Sequence, residues 1–269
     1  MRQPIAQLTM FEVVFSQTLL LKKIVDAVKE INDTVSIDVS PTEISIQTMD
    51  SSRVSLVTLS LRADSFGDKF NCDHPLTLGV NLKTLAKLLR TASNDDQTTL
   101  RAEDESNTLI VVIESPKEGK ISSFELKLMD LNNEPLAVYD TDAKATVKLS
   151  SAEFSHICRD LGTIGDTVVI SVQKENISFS VNGEELSGNM SLQPSDAVDN
   201  SDDSVSIEVD EPIEQSFALR FLNMFTKATP LSPNVILSLS PDQPFCIEYQ
   251  IEDAGHIKYF LAPKIEDVE

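Results

Sequence analysis

The sequence predicts an α+β fold, dominated by antiparallel strands and duplicated within the chain. Two observations predict it. Apolar and polar residues alternate with period 2 along most of the chain, and four short amphipathic helical segments interrupt that alternation. The order strand, short helix, turn, hairpin then follows Phe11–Phe15, Leu76–Val80, Thr146–Leu149 and Glu214–Ala218, four copies in 269 residues.

The strands are bounded by turn residues. VSIDVSPTEISIQT (35–48) alternates, turns at Ser40-Pro41-Thr42 and alternates again, and SRVSLVTLSLRA (52–63) continues the habit. TLRAEDESNTLIVVIES (99–115) turns at Asp104 to Asn107. VVISVQKENISFSV, VSIEV, NVILSLS and FCIEYQI follow. Alternation bounded by Pro, Asn, Asp and Ser marks half-buried antiparallel strands.

The helices are expected at Leu19–Glu30, Leu82–Ala92, Ser151–Leu161 and Phe217–Ala228. Leu82, Leu85 and Leu89 stand at i, i+3, i+7, and Lys83, Lys87 and Arg90 repeat that spacing on another face. The other apolar stripes are Leu21/Ile24/Val25/Val28, Phe154/Ile157/Cys158/Leu161 and Leu219/Leu222/Phe225. These segments hold 9 basic residues and 4 acids in a chain of net charge −21. Solvated lysines on one helix are ordinary; four helices agreeing in so acidic a chain suggest sorted charge.

The segment 129–145, MDLNNEPLAVYDTDAKA, has Pro135, several acids and no sustained period, so it reads as a connector between halves. The expected organisation is an extension at 1–9, a first domain at 10–128, the connector at 129–145, a second domain at 146–264 and a tail at 265–269. Gln193 to Ser204 reads as an acidic surface loop.

Several classes lose support. No run of 18 apolar residues is present, and the first residues lack the pattern of a signal peptide. Cys72, Cys158 and Cys246 are odd in number and widely spaced, and read as buried small hydrophobes rather than a disulfide framework or zinc ligands. No nucleophile elbow, phosphate-cradling Gly loop or dense acid pair is present, so no catalytic residue, metal or cofactor is expected.

If each helix packs its oily face on a sheet, its cations point outward and the sheets keep open edges. Open edges invite pairing with further copies, and a closed ring would line its hole with the basic helices.

Longer strings then carry a resemblance: QTMDSSRVSLVTLSLR (47–62), LGVNLKTLAKLLR (78–90), TLRAEDESNTL (99–109), ELKLMDL (125–131), EFSHICRDLGTIGDTVVIS (153–171), FALRFLNMFTKATPLS (217–232) and GHIKYFLAPKIED (255–267). In order and spacing they resemble the eukaryotic sliding-clamp family, proliferating cell nuclear antigen, from Met10 onward. The resemblance implies two similar clamp domains, each with antiparallel sheets and two helices, and a closed homotrimeric ring. That ring would encircle duplex DNA in the nucleus, without catalysis or cofactor, and tether polymerases, a clamp loader, nucleases and ligases. It implies DNA-facing roles for Lys22, Lys23, Lys29, Lys87, Arg90, Lys120, Arg159, Arg220 and Lys227. His156 stands where many relatives carry a basic residue.

The resemblance further implies a groove for a short peptide with a Gln and spaced hydrophobic and aromatic anchors. It is lined by Met49, Arg53, Val54, Leu56, the connector's Leu136, Val138 and Tyr139, and Pro244, Phe260, Ala262, Pro263 and Ile265. Tyr139 replaces a common Pro. Read from its alternating strand alone, Phe260 is equally a core residue. The implied subunit contact pairs Lys120–Lys127 with Leu186–Gln193 through Ile121, Phe124, Leu126, Leu186 and Met190. Lys174 aligns with a modified lysine, although its own surroundings read as an ordinary turn. A subunit of a heteromeric or checkpoint-type clamp, and an acidic scaffold that never touches DNA, are the alternatives.

Overall fold

The computed structural model describes residues 9–103, 106–131, 142–195, 204–241 and 243–264. The chain divides into two compact units. The first comprises Met1–Thr48, Leu59–Pro135 and Asp253–Gly255, and the second comprises Met49–Thr58, Leu136–Glu252 and His256–Glu269.

In chain order the elements begin β1 (Thr9–Phe15), α1 (Thr18–Lys29), β2 (Thr34–Val39), β3 (Glu43–Met49), β4 (Ser55–Arg62), β5 (Phe70–Cys72) and β6 (Leu76–Asn81). They continue α2 (Leu82–Leu89), β7 (Gln97–Glu103), β8 (Thr108–Ser115) and β9 (Lys120–Lys127). The same order then repeats: β10 (Ala145–Ser150), α3 (Ser151–Leu161), β11 (Thr167–Val172), β12 (Ile177–Asn182), β13 (Ser187–Leu192), β14 (Ser206–Val209), β15 (Ile213–Ala218), α4 (Leu219–Phe225), β16 (Asn234–Leu239), β17 (Phe245–Ile251) and β18 (Gly255–Leu261).

Pairing repeats as well. The order β5-β1-β7-β8-β9 has its counterpart in β14-β10-β16-β17-β18, and β4-β3-β2-β6 in β13-β12-β11-β15. The counterparts differ at two ends. β18 continues to β4, whose residues to Thr58 cluster with the second unit, whereas β9 and β13 end their sheets.

A further repeat involves the helix starts, whose first N–H groups lack partners inside the helix. Thr18 N donates to Asp96 O (2.7 Å), Leu82 N to Asp33 O (2.7 Å), Ser151 N to Pro233 O (2.8 Å) and Leu219 N to Asp166 O (2.9 Å). Each acceptor immediately precedes a strand, respectively β7, β2, β16 and β11. The Asn81 side chain adds a cap to α2, accepting from Thr84 N at 2.8 Å.

The cores are the expected stripes. In the first unit Leu21, Ile24, Val25, Leu82 and Leu85 line a cavity of about 40 Å³ with Phe11, Leu78 and Leu100. The second core is more aromatic: Phe225 stacks on Tyr259 with centroids 4.6 Å apart, and Phe217 lies 4.8 Å from Phe245. The four helices place every predicted stripe residue in the buried set.

Three expectations change. Phe217–Ala228 is not one helix: Phe217 and Ala218 finish β15, α4 spans Leu219–Phe225, and a 3-10 turn, Thr226–Leu231, carries Lys227. Pro230 inside that turn cannot donate to a continuing helix. The second helix ends at Leu89, not Ala92. Cys158 and Cys246 are buried, but Cys72 is only half-buried on edge strand β5, its Sγ 3.1 Å from the carbonyl of His74.

Both units hold the segment leaving their last strand against an edge strand. Met129 N donates to Gly79 O (2.9 Å) and Lys264 N to Ser216 O (2.8 Å). Gly79 and Ser216 are each the fourth residue of their strands, β6 and β15. At Gly79 a Cβ would stand 2.0 Å from Met129 O, so this approach requires glycine.

Candidate nucleic-acid interface and peptide groove

Burying the apolar stripe of each helix leaves the cations on its outer side. In the first unit α1 and α2 border a cleft of about 280 Å³ lined by Lys22, Val25, Asp26, Lys29, Ala86, Leu89 and Arg90. The lysines there are not equivalent. Lys22 Nζ donates to Ala92 O (2.7 Å) and Asn94 Oδ1 (3.1 Å), tying α1 to the loop after α2. Lys29 pairs with Asp26, and Lys83 pairs with Asp33 at 2.6 Å. The Asp33 hydrogen bond and charge hold the Lys83 ammonium above its ordinary pKa. Lys87 and Arg90 are exposed and have no ion-pair partner among the described residues. Lys23 is half-buried.

In the second unit Arg159 on α3 pairs with Asp160 at 3.2 Å and contacts His156 Nδ1. Accepting from a guanidinium requires a neutral imidazole with its proton on Nε2. Arg220 lies 4.7 Å over the Phe221 ring, and Lys227 is exposed on its 3-10 turn. Lys120 is exposed at the first position of β9, and Lys174 at the turn where Gln173 N donates to Asn176 O (2.8 Å).

The residues expected to line a peptide groove, where described, all lie in the second unit. Leu56, Cys246 and Phe260 form one buried cluster, with Met49 packed on it. Phe260 is 3% exposed, so its ring is packed in the core of this cluster. Burial raises the Cys246 thiol pKa to about 12, leaving it a protonated apolar filler. Pro244, Val54 and Pro263 are half-buried, and Arg53 and Ala262 are exposed. Leu136, Val138, Tyr139 and Ile265 lie outside the described residues.

Sequence reasoning passed over the residue that organises the turn ahead of β4. Asp50 accepts from Val54 N (2.8 Å) and Ser55 N (2.6 Å) through Oδ1, and from Ser52 N (2.8 Å) through Oδ2. Arg53 N closes the turn on Asp50 O (3.0 Å) with Arg53 at φ 57°. The Asp-Ser-Ser string was the available signal, since Asp commonly binds backbone two residues on. Burial raises the Asp50 pKa, but the hydrogen bonds from Ser52 and Ser55 outweigh it and leave the group below its ordinary value.

A carboxyl with a depressed folded-state pKa stabilises fully above its unfolded value, and that stability is lost as pH falls through the folded value. Asp50→Ala is therefore expected to cost about 1–2 kcal/mol at pH 7. The difference from the parent should shrink below about pH 4. Urea unfolding of both proteins across pH 2–7 checks this; a difference that does not vary with pH would remove Asp50's charge from the account.

The residues expected at a subunit contact lie on or beside β9 and β13. Ile121 is 72% exposed on β9, and Leu186, just before β13, is 60% exposed. Phe124 and Met190 are half-buried, whereas Leu126 is 7% exposed and belongs to its own unit's core.

A duplicated α+β chain with cations gathered on its helices has the architecture of a clamp-type protein. Residues 10–136 match the family model for the proliferating cell nuclear antigen N-terminal domain, and residues 137–264 match that for its C-terminal domain. The chain belongs to the proliferating cell nuclear antigen family of DNA sliding clamps. The seam between the two matches falls inside the connector expected at 129–145.

Proposed function

We propose that this chain is a homotrimeric sliding clamp of the nucleus. Three copies join head to tail, encircle duplex DNA without reading its sequence, and tether replication and repair proteins through the peptide groove. The observation that carries the ring is the exception to the internal repeat. β18 has a neighbour in β4, but their counterparts β9 and β13 end their sheets among the described residues, with Ile121 exposed on β9 and Leu186 exposed just before β13. Pairing β9 of one copy with β13 of the next would repeat a joint that the chain already makes once. Rotation then closes the set instead of propagating a fibre.

The cations Lys87, Arg90, Lys120, Arg159, Arg220 and Lys227 are the exposed members of the DNA-facing set, and Lys23 supplements them. They would meet phosphates as diffuse positive charge, the chemistry of a protein that slides. Peptide binding would use Met49, Val54, Pro244, Ala262 and Pro263 around the Leu56–Phe260 floor. Lys174, exposed on its turn, is a reasonable acceptor for a modifying enzyme.

Light scattering over a dilution series tests the ring. A mass about three times 29.6 kDa is expected. The loaded protein should stay on nicked circular DNA and run off once the circle is linearised. A persistent monomer at micromolar concentration would overturn the homotrimer and favour a heteromeric clamp. A stable trimer with no topological retention would leave the acidic scaffold.

A further inference from the structure

We infer that Lys264 is a positioning residue for the peptide groove, acting through the wall formed by Ala262 and Pro263. This rests on the groove reading above. The chain leaves β18 through Ala262, whose N–H donates to Val54 O (3.1 Å). Pro263 has no N–H to give. The next donor is Lys264 N, which crosses to Ser216 O on β15 (2.8 Å). The two exposed or half-buried wall residues are thus suspended between Val54, just ahead of β4, and Ser216 on β15. The Lys264 side chain adds a separate tether, its Nζ donating to Thr167 Oγ1 on β11 at 2.6 Å.

The internal repeat shows what this tether replaces. In the first unit the exit segment lies so close to its edge strand that only glycine fits at position 79. In the second unit the equivalent position is Ser216, and the lysine's reach to Thr167 secures the exit instead. Losing the ammonium would leave, among the described residues, the Lys264 N–H bond to Ser216 as the hold downstream of Pro263. The wall would then sample positions that do not contact a peptide, lowering apparent affinity by the fraction of competent states.

The test uses the full chain with Lys264→Met, Lys264→Arg, Thr167→Val and the double variant Lys264→Met/Thr167→Val. The probe is a synthetic peptide with the Gln, aliphatic and aromatic anchors described above. Lys264→Met and Thr167→Val should each weaken the peptide about fivefold. The double variant should be no weaker than either alone, and Lys264→Arg should restore most of the affinity. Hydrogen exchange at the Ala262 and Lys264 amides, measured without peptide, should quicken in Lys264→Met and Thr167→Val.

Unchanged exchange, or additive losses in the double variant, would overturn the positioning role. The groove reading fails separately, through absence of peptide binding to the parent chain or indifference to Phe260→Ala. Quickened exchange in the same samples would still confirm the tether.

Discussion

Replacing Ile121 by Asp is expected to reduce the solution mass from about three chains to one. Ile121 is 72% exposed and has little to lose within its own unit. In a strand-to-strand joint it would be buried opposite the β13 edge, where Leu186 is 60% exposed. Burying two such side chains contributes about 3–6 kcal/mol per joint, a factor on the order of 10²–10⁴ in the dissociation constant. An aspartate there removes that gain and places a charge in an apolar contact. Circular dichroism and thermal unfolding of the monomer should stay near the parent's, because exposed substitutions typically shift stability by no more than about 0.5 kcal/mol. Leu186→Asp should act alike. Mixing the two variants offers a stricter check, because each retains the edge that the other has lost. A head-to-tail joint then yields a dimer made of one copy of each and nothing larger. Trimers surviving in Ile121→Asp at micromolar concentration would place the joint elsewhere on the chain.

Reversing Lys87 and Arg90 to Glu should abolish most retention on circular DNA while leaving mass and peptide binding intact. Each phosphate contact contributes about 0.9 to the slope of log affinity against log salt. Losing two should flatten that slope by roughly 1.8 per subunit touching DNA, and residence should fall at least tenfold at moderate salt. The pair is suited to the test because both side chains are exposed and lack ion-pair partners among the described residues. Lys22 and Lys83 on the same two helices are poorer choices, since their ammonium groups already hold Ala92, Asn94 and Asp33. An unchanged salt slope in the double variant would remove α2 from the DNA-facing surface.

The helices and most strands were legible because their signals are local. Leu82, Leu85 and Leu89 stand one turn or two apart, and VSIDVSPTEISIQT carries its own turn. The end of the fourth helix was not legible, because Arg220 to Lys227 keeps a helical apolar spacing while the backbone tightens into a 3-10 turn ahead of Pro230. The cations were legible as a set but not one by one. Whether Lys22 or Lys87 is free depends on carbonyls and carboxylates far away in sequence, which periodicity does not reveal. The residues expected to line the groove came from the family resemblance; Asp50 had a local signal in its Asp-Ser-Ser string, whereas the Lys264 contacts with Thr167 and Ser216 join residues far apart in sequence.

The four bonds at the helix starts bear on how the chain folds. Each helix begins on a carbonyl supplied by the other half of its own unit: α1 on the loop before β7, and α2 on the loop before β2. The second unit makes the same exchange between α3 and α4. Neither half can complete its helix start alone, so one repeat has no stopping point as an independent foldon. The Thr18–Asp96 contact must bridge 78 positions before it contributes anything, an entropic cost borne ahead of the gain. Folding should therefore proceed unit by unit, slowly for its size, with no half-unit accumulating. A chain truncated after β5 would present an uncapped α1 and a β1 stripped of its β7 neighbour, and would aggregate rather than persist as a small domain.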